Sequence, residues 1–170
     1  MELKDILKSQ VAFVQEQAEG TIGDCSKEAL SKTISGATIG SCAVVYAHMI
    51  FSEDGIVSGM LQGKAPIYHA QGWASKASVA MPENPRMDLE WGKTINMNLP
   101  AFQAYAKAVY AATDEYLSNL SEADLSRKLQ TPFGESTVGF MLNVLVSHPA
   151  THTGEIAALK GVQGLKGLPF

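Results

Sequence analysis

Cysteine is nearly absent: Cys25 and Cys42 are the only two in 170 residues. They are widely spaced and form no metal-binding pair of their own. In a chain without an export signal they read as reduced thiols rather than a disulfide. Long apolar runs are missing too. None reaches the roughly 18–20 residues of a membrane span, and the nearest, Ala43 to Phe51, contains His48. The opening M-E-L-K-D-I-L-K lacks the basic-then-apolar pattern of a signal peptide, so the expected location is cytoplasmic. Positive charge is scarce: 13 Lys and Arg face 17 Asp and Glu, for a net charge of −4, and no basic cluster stands out. Nucleic acid is therefore disfavoured as a partner. No Gly-rich phosphate loop fits, because G-V-Q-G-L-K-G follows a helical pattern rather than a strand, and no Ser-His-Asp arrangement can be defended. There is no repeat and no low-complexity segment. What remains is 46% hydrophobic and 18% charged, the composition of a globular protein, long enough for one domain over residues 1–170 with a real core.

Four stretches carry helical periodicity. Leu3, Ile6, Leu7, Gln10, Phe13, Val14 and Gln17 share a face, predicting an amphipathic helix over 2–19. Glu2 and Asp5 lie in its first turn, where the helix dipole favours acid, and Gly20 and Gly23 end it. Lys27 to Leu30 has room for one helical turn. A second helix is expected over about 38–61, with Thr38 or Ser41 as cap. Cys42, Val45, His48, Phe51 and Gly55 share its apolar face, so His48 belongs on the buried side in mid-helix. Pro100 opens a third helix, about 99–119, with Phe102, Tyr105, Ala106, Val109, Thr113, Tyr116, Leu117 and Leu120 as one stripe. A capped turn at Ser121 to Asp124 and a turn through Leu129 to Glu135 lead to a fourth helix, about Thr137 to Leu159. Its inner face is Val138, Met141, Leu142, Leu145, His148, His152, Ile156 and Leu159. Residues 62–97 read as irregular, interrupted by Pro66, Gly72, Pro82, Pro85 and Gly92, with space for a short helix around Trp73 to Val79. Strand signal is weak throughout. The expected class is all-α: a four-helix bundle whose long connection between helices two and three is a lid or crossover.

The chemistry gathers near the end, in S-H-P-A-T-H-T-G-E. His148 and His152 stand four residues apart, so on a helix their imidazoles lie on one face, one turn apart. That spacing suits Zn²⁺, Ni²⁺, Cu²⁺ or Fe²⁺, and His48 is the candidate third ligand from the facing helix. The bland reading is a pair of helix histidines without metal and a satisfied core histidine. The His-Glu-x-x-His pattern of zinc proteases is absent, because position 149 is proline. Pro149 also breaks a local rule: inside a helix it removes the bond to the Leu145 carbonyl and costs ~3 kcal/mol. The apolar spacing stays in phase across it, which favours one kinked helix over a strand at Phe140 to Val146 followed by a restart. Glu155 and Glu53 are candidates to orient a ligand imidazole, with solvated or structural carboxylates as the alternative. Tyr68, His69, Trp73 and Trp91 are candidate walls of a substrate pocket.

These residues resemble a known family. G-A-T-I-G-S-C-A-V-V-Y-A-H-M-I-F-S-E-D, L-P-A-F-Q-A-Y-A-K-A-V-Y-A-A-T-D-E-Y-L and H-P-A-T-H-T-G-E-I-A-A-L-K-G are similar to segments of the DinB/YfiT-like superfamily, helical-bundle proteins read as metalloenzymes. The resemblance covers nearly the whole chain and is loosest over 62–97. It implies a four-helix bundle with a long helix 2–helix 3 crossover, often a homodimer. It also implies a divalent ion, zinc or nickel, held by His48, His148 and His152. Characterised relatives include S-transferases and isomerases that use a low-molecular-weight thiol. Two positions depart from the pattern: Thr153, where many members have arginine, and Pro149. The expected function is thus a metal-dependent transferase or hydrolase acting on a small electrophile. The alternative is a non-catalytic, stress-related binding protein with a structural metal.

Overall fold

The computed structural model describes residues 3–83, 89–132 and 134–170. Glu2, Pro85 and Phe133, which the sequence reading used, lie outside them. The described chain is mostly helical, with one small sheet. The long helices are α1 (Leu3–Ile22), α3 (Cys42–Asp54), α6 (Leu99–Ser118) and α7 (Val138–Gly161), and the short ones are α2 (Lys27–Ser31), α4 (Ile67–Ala70) and α5 (Leu89–Thr94). Helix α7 packs on α1 and α3, and α6 packs on the same two.

Helix α3 is apolar nearly all round, and that decides its place: Cys42 to Ala47 and Met49 to Phe51 are all buried. A helix without a polar face belongs inside. Below it the chain does not stop but widens into a π-helical segment, Gly55–Leu61. Segments of this kind are rare and frequent at functional sites. The periodicity of α6 is met as expected, with Phe102, Tyr105, Ala106, Val109, Thr113 and Leu117 buried. In α1 the buried face is turned from the expected one. Val11, Val14, Ala18 and Ile22 go inside, while Leu3, Ile6 and Phe13 are exposed. Two stripes overlap in that sequence, and the one that continues to Ile22 wins because it meets both α6 and α7.

Buried and half-buried polar side chains tie the long helices together. Glu19 of α1 accepts from Tyr46 of α3 and from Tyr110 and Gln103 of α6. Glu53 of α3 accepts from Gln15 of α1 and Thr113 of α6, both at 2.7 Å. Lys160, 1% exposed, crosses from α7 to donate to the Thr21 carbonyl and to Asp24 at the end of α1. A cation is favoured there by the helix dipole.

Two expectations need correction. The stretch after residue 62 contains α4 and α5, with a 3₁₀ turn only at Trp73–Ser75 in place of a helix to Val79. The cause is Asp54. Its buried carboxylate accepts from the amides of Ile67 and Tyr68 and so supplies the cap of α4 from outside the segment. The second correction is strand. Lys128–Thr131 (β1) and Gly134–Thr137 (β2) form an antiparallel hairpin where the sequence suggested only a turn. Four-residue strands are too short for alternation to show. The hairpin leads straight into α7, whose cap is Thr137, accepting from the Phe140 amide at 3.2 Å.

Candidate metal centre

Three imidazoles meet where α3 crosses α7. Helix α7 runs unbroken from Val138 to Gly161 with Pro149 inside it, as the in-phase apolar pattern required. Pro149 is buried, and its missing N–H does not prevent His148 and His152 from pointing the same way. His48 arrives from α3. The Nε2 atom of His148 lies 3.2 Å from Nε2 of His48 and 3.1 Å from Nε2 of His152. One ligand nitrogen from each residue falls within 4.8 Å of the others, so the set could hold one ion.

The protonation pattern suits that use. Glu155 Oε2 is 2.5 Å from His152 Nδ1. A carboxylate only accepts, so the imidazole proton sits on Nδ1 and the Nε2 lone pair faces the cluster. Burial, and then the neighbouring His152 and His48, push the His148 pKa down to about 3. His148 is therefore neutral, the form that ligates metal.

A cavity of about 620 Å³ opens beside the cluster. His48 and His148 are part of its wall, with Phe51, Ile56, Met60, Phe140, Met141 and Val144 as its apolar surface. The hairpin and its turn supply Thr131, Pro132, Glu135 and Ser136. Gly55 of the π segment also faces it, and an added Cβ there would meet nothing within 4 Å. The site is a small, largely apolar chamber with imidazoles on one side.

Of the residues expected from the sequence, His48, His148, His152 and Glu155 come together. Glu53 does not join them: its hydrogen bonds go to Gln15 and Thr113, which make it a tie between three helices. None of Tyr68, His69, Trp73 and Trp91 lines the cavity. Tyr68 is buried with its hydroxyl on the Val79 carbonyl, and the rings of Tyr68 and Trp91 pack on Phe51 at 5.4 and 6.1 Å. They reach the chamber only through Phe51. Trp73 packs on Tyr105 at 5.8 Å, and His69 is exposed beside Tyr68. Sequence reasoning missed the hairpin wall, for which Q-T-P-F-G-E offered a turn signal but no partner. Thr153 is 2% exposed, and its hydroxyl finds no hydrogen-bond partner among the described residues.

A mostly helical protein with a three-histidine cluster at the side of an apolar chamber is the class that these observations define. The model of the DinB superfamily matches residues 9–156, and the chain belongs to that superfamily. A crystal structure of a conserved protein from Enterococcus faecalis has the same fold, with TM-score 0.77 and 18% identity over 94% of this chain and 95% of that one. No curated protein sequence matches the chain.

Proposed function

We propose that the protein is a divalent-metal-dependent enzyme that acts on a small molecule with an apolar body. The observation that carries this reading is the convergence of three imidazole nitrogens beside the chamber, with Glu155 setting the tautomer of one of them. His48, His148 and His152 would hold the ion, nickel or zinc by the family resemblance. Three protein ligands leave further positions for water or substrate, the pattern of a catalytic rather than a structural site. A bound ion would supply Lewis acidity and lower the pKa of a thiol or water. The protein's own side chains do the rest. Glu155 keeps the His152 proton on Nδ1. Phe51, Met60 and Val144 hold the apolar body and exclude water. S-transfer from a low-molecular-weight thiol to an electrophile is the first reaction to test.

The long helices are read here as a four-helix bundle forming one domain, and the assembly as a homodimer in the cytoplasm. No described helix is long and apolar enough to cross a membrane. Metal analysis of untagged protein is the first experiment, followed by a screen of small thiols against electrophiles. A preparation that binds neither zinc nor nickel stoichiometrically on addition would overturn the reading.

A further inference from the structure

The polar side chains that border the chamber are few: His48, Ser52, Thr131, Glu135, Ser136 and His148. Among the described residues, neither lysine nor arginine lines it. Its one carboxylate is turned away. In the hairpin register Leu129 stands opposite Ser136 and Thr131 opposite Gly134, so Leu129, Thr131 and Ser136 share one face of the ribbon. Gln130 and Glu135 stand opposite each other on the other face. Leu129 packs on the core, which makes the Ser136 face the inner one. Glu135 is exposed, and its carboxylate pairs with Lys128 at 2.8 Å on the outer face.

Ser52 differs from other helical hydroxyls in this protein. Thr21, Ser31, Thr113, Ser118 and Thr151 each donate to the backbone carbonyl four residues back, at 2.6–3.1 Å. Ser52 makes no such bond, and its hydroxyl has no hydrogen-bond partner among the described residues. It is half-buried and four residues after His48 on α3. The two side chains therefore share a face, about 6 Å apart along the helix axis. Across the chamber, the Ser136 hydroxyl also has no partner among the described residues, whereas Thr131 Oγ1 donates to the Gly134 carbonyl at 2.9 Å.

We propose that the chamber selects an uncharged small molecule, and that Ser52 is the specificity-determining residue, hydrogen-bonding a hydroxyl, carbonyl or amide about one helical turn from the imidazoles. A charged body has no place in this lining. A carboxylate or phosphate would meet no lysine or arginine of the described wall, and an ammonium would meet no inward carboxylate. An unpaired charge taken out of water costs far more than its contacts return. A neutral polar group gives up less water and meets a hydroxyl able both to donate and to accept. The inference deepens the metal-enzyme reading and rests on it only for which end of the molecule meets the ion.

The test uses the full chain, chelator-treated so that no ion competes for a carboxylate, with hexanediol and hexanedioate as probes. Each is polar at both ends, so neither can enter by an apolar end alone. NMR titration followed on the methyl groups of Met60, Met141 and Val144 reads both affinity and place. Hexanediol should bind at least about tenfold more tightly than hexanedioate. Ser52→Ala should weaken hexanediol binding about fivefold, and Ser52→Thr, which keeps a hydroxyl, should recover most of the loss. No diol binding at these methyls, equal or tighter binding of the dicarboxylate, or an affinity untouched by Ser52→Ala would overturn the inference. Metal analysis of the same preparation before chelation tests the parent reading separately. A chain that takes up no ion yet keeps the diol preference and its dependence on Ser52 loses the metal-enzyme reading and retains this selectivity.

Discussion

His48 and the pair Glu53–Asp54 lie within two turns of one another on the same stretch of helix, and their surroundings differ completely. Asp54 is 0% exposed, and its carboxylate accepts from Ser58, Ile67 N, Tyr68 N and Tyr105 at 2.7–3.0 Å. Glu53 is held by Gln15 and Thr113. These acids are completed by the protein's own donors, and they close the structure. The imidazoles face each other across 3.1–3.2 Å beside a chamber, and Glu155 presents one of their lone pairs to the group. Burial alone therefore does not mark a functional residue. What distinguishes the two regions is whether the protein satisfies the polar group itself or directs it toward a shared point.

The sharpest way to break that comparison is to exchange the expected outcomes. His148→Ala or His152→Ala should weaken metal binding by about a hundredfold or more. The thermal melt of the metal-free protein should stay within about 1 kcal/mol of the parent, because a partly open wall is lost rather than a core. Metal analysis after dialysis reads the first quantity and calorimetry the second; a variant that keeps its ion sinks the assignment. Asp54→Ala should do the reverse. Four donors, all buried with it, lose their acceptor, and stability should fall by about 3 kcal/mol or more in urea denaturation. Metal affinity of the folded fraction should stay within about threefold.

Acidity separates the regions by sign. Burial pushes the Glu53 pKa up to about 7, so its contribution is full below pH 4.5 and is lost as pH rises through 7. Glu53→Gln should flatten that arm of a stability–pH curve by about 2 kcal/mol. His148 acts oppositely. Its pKa is lowered to about 3, so the unfolded chain takes the proton first. In metal-free protein its contribution is full above pH 6.5 and is lost as pH falls toward 3. Stability of the chelator-treated protein measured from pH 4 to 8 should show both arms; a curve unchanged by Glu53→Gln contradicts the first.

Smaller effects sharpen the picture. Glu155→Gln, which leaves an acceptor but removes the charge from His152, should weaken metal binding about tenfold in a competition assay. The chamber itself predicts a graded response. In calorimetric titration of the metal-loaded protein, straight-chain alkyl thiols should bind about three- to fourfold more tightly per added methylene until the space is filled. Val144→Trp should abolish the gradient without removing the metal. Affinity independent of chain length would show that the chamber does not receive the ligand.

Much of this was legible in the amino-acid order. The i,i+4 histidines, the in-phase face of α7 and the stripe of α6 are periodic signals long enough to stand above chance. The rotated face of α1 was not, because two stripes overlap and only the neighbours choose between them. Nor was the hairpin, since four-residue strands carry too little pattern. The choice between the two readings of Glu53, imidazole partner or structural carboxylate, was not legible either, because sequence distance from His48 says nothing about what approaches from α1 and α6.

The sequence by itself determined a mostly helical chain and the helices that carry His48, His148 and His152, and it offered Glu155 as a candidate partner three residues past His152, because each depends on spacing within one element. Only the tertiary structure decided which face of α1 is buried, that Asp54 caps α4, and that the hairpin rather than the aromatic loop walls the chamber. Those are contacts between elements, and their geometry is set by packing, which no local periodicity encodes.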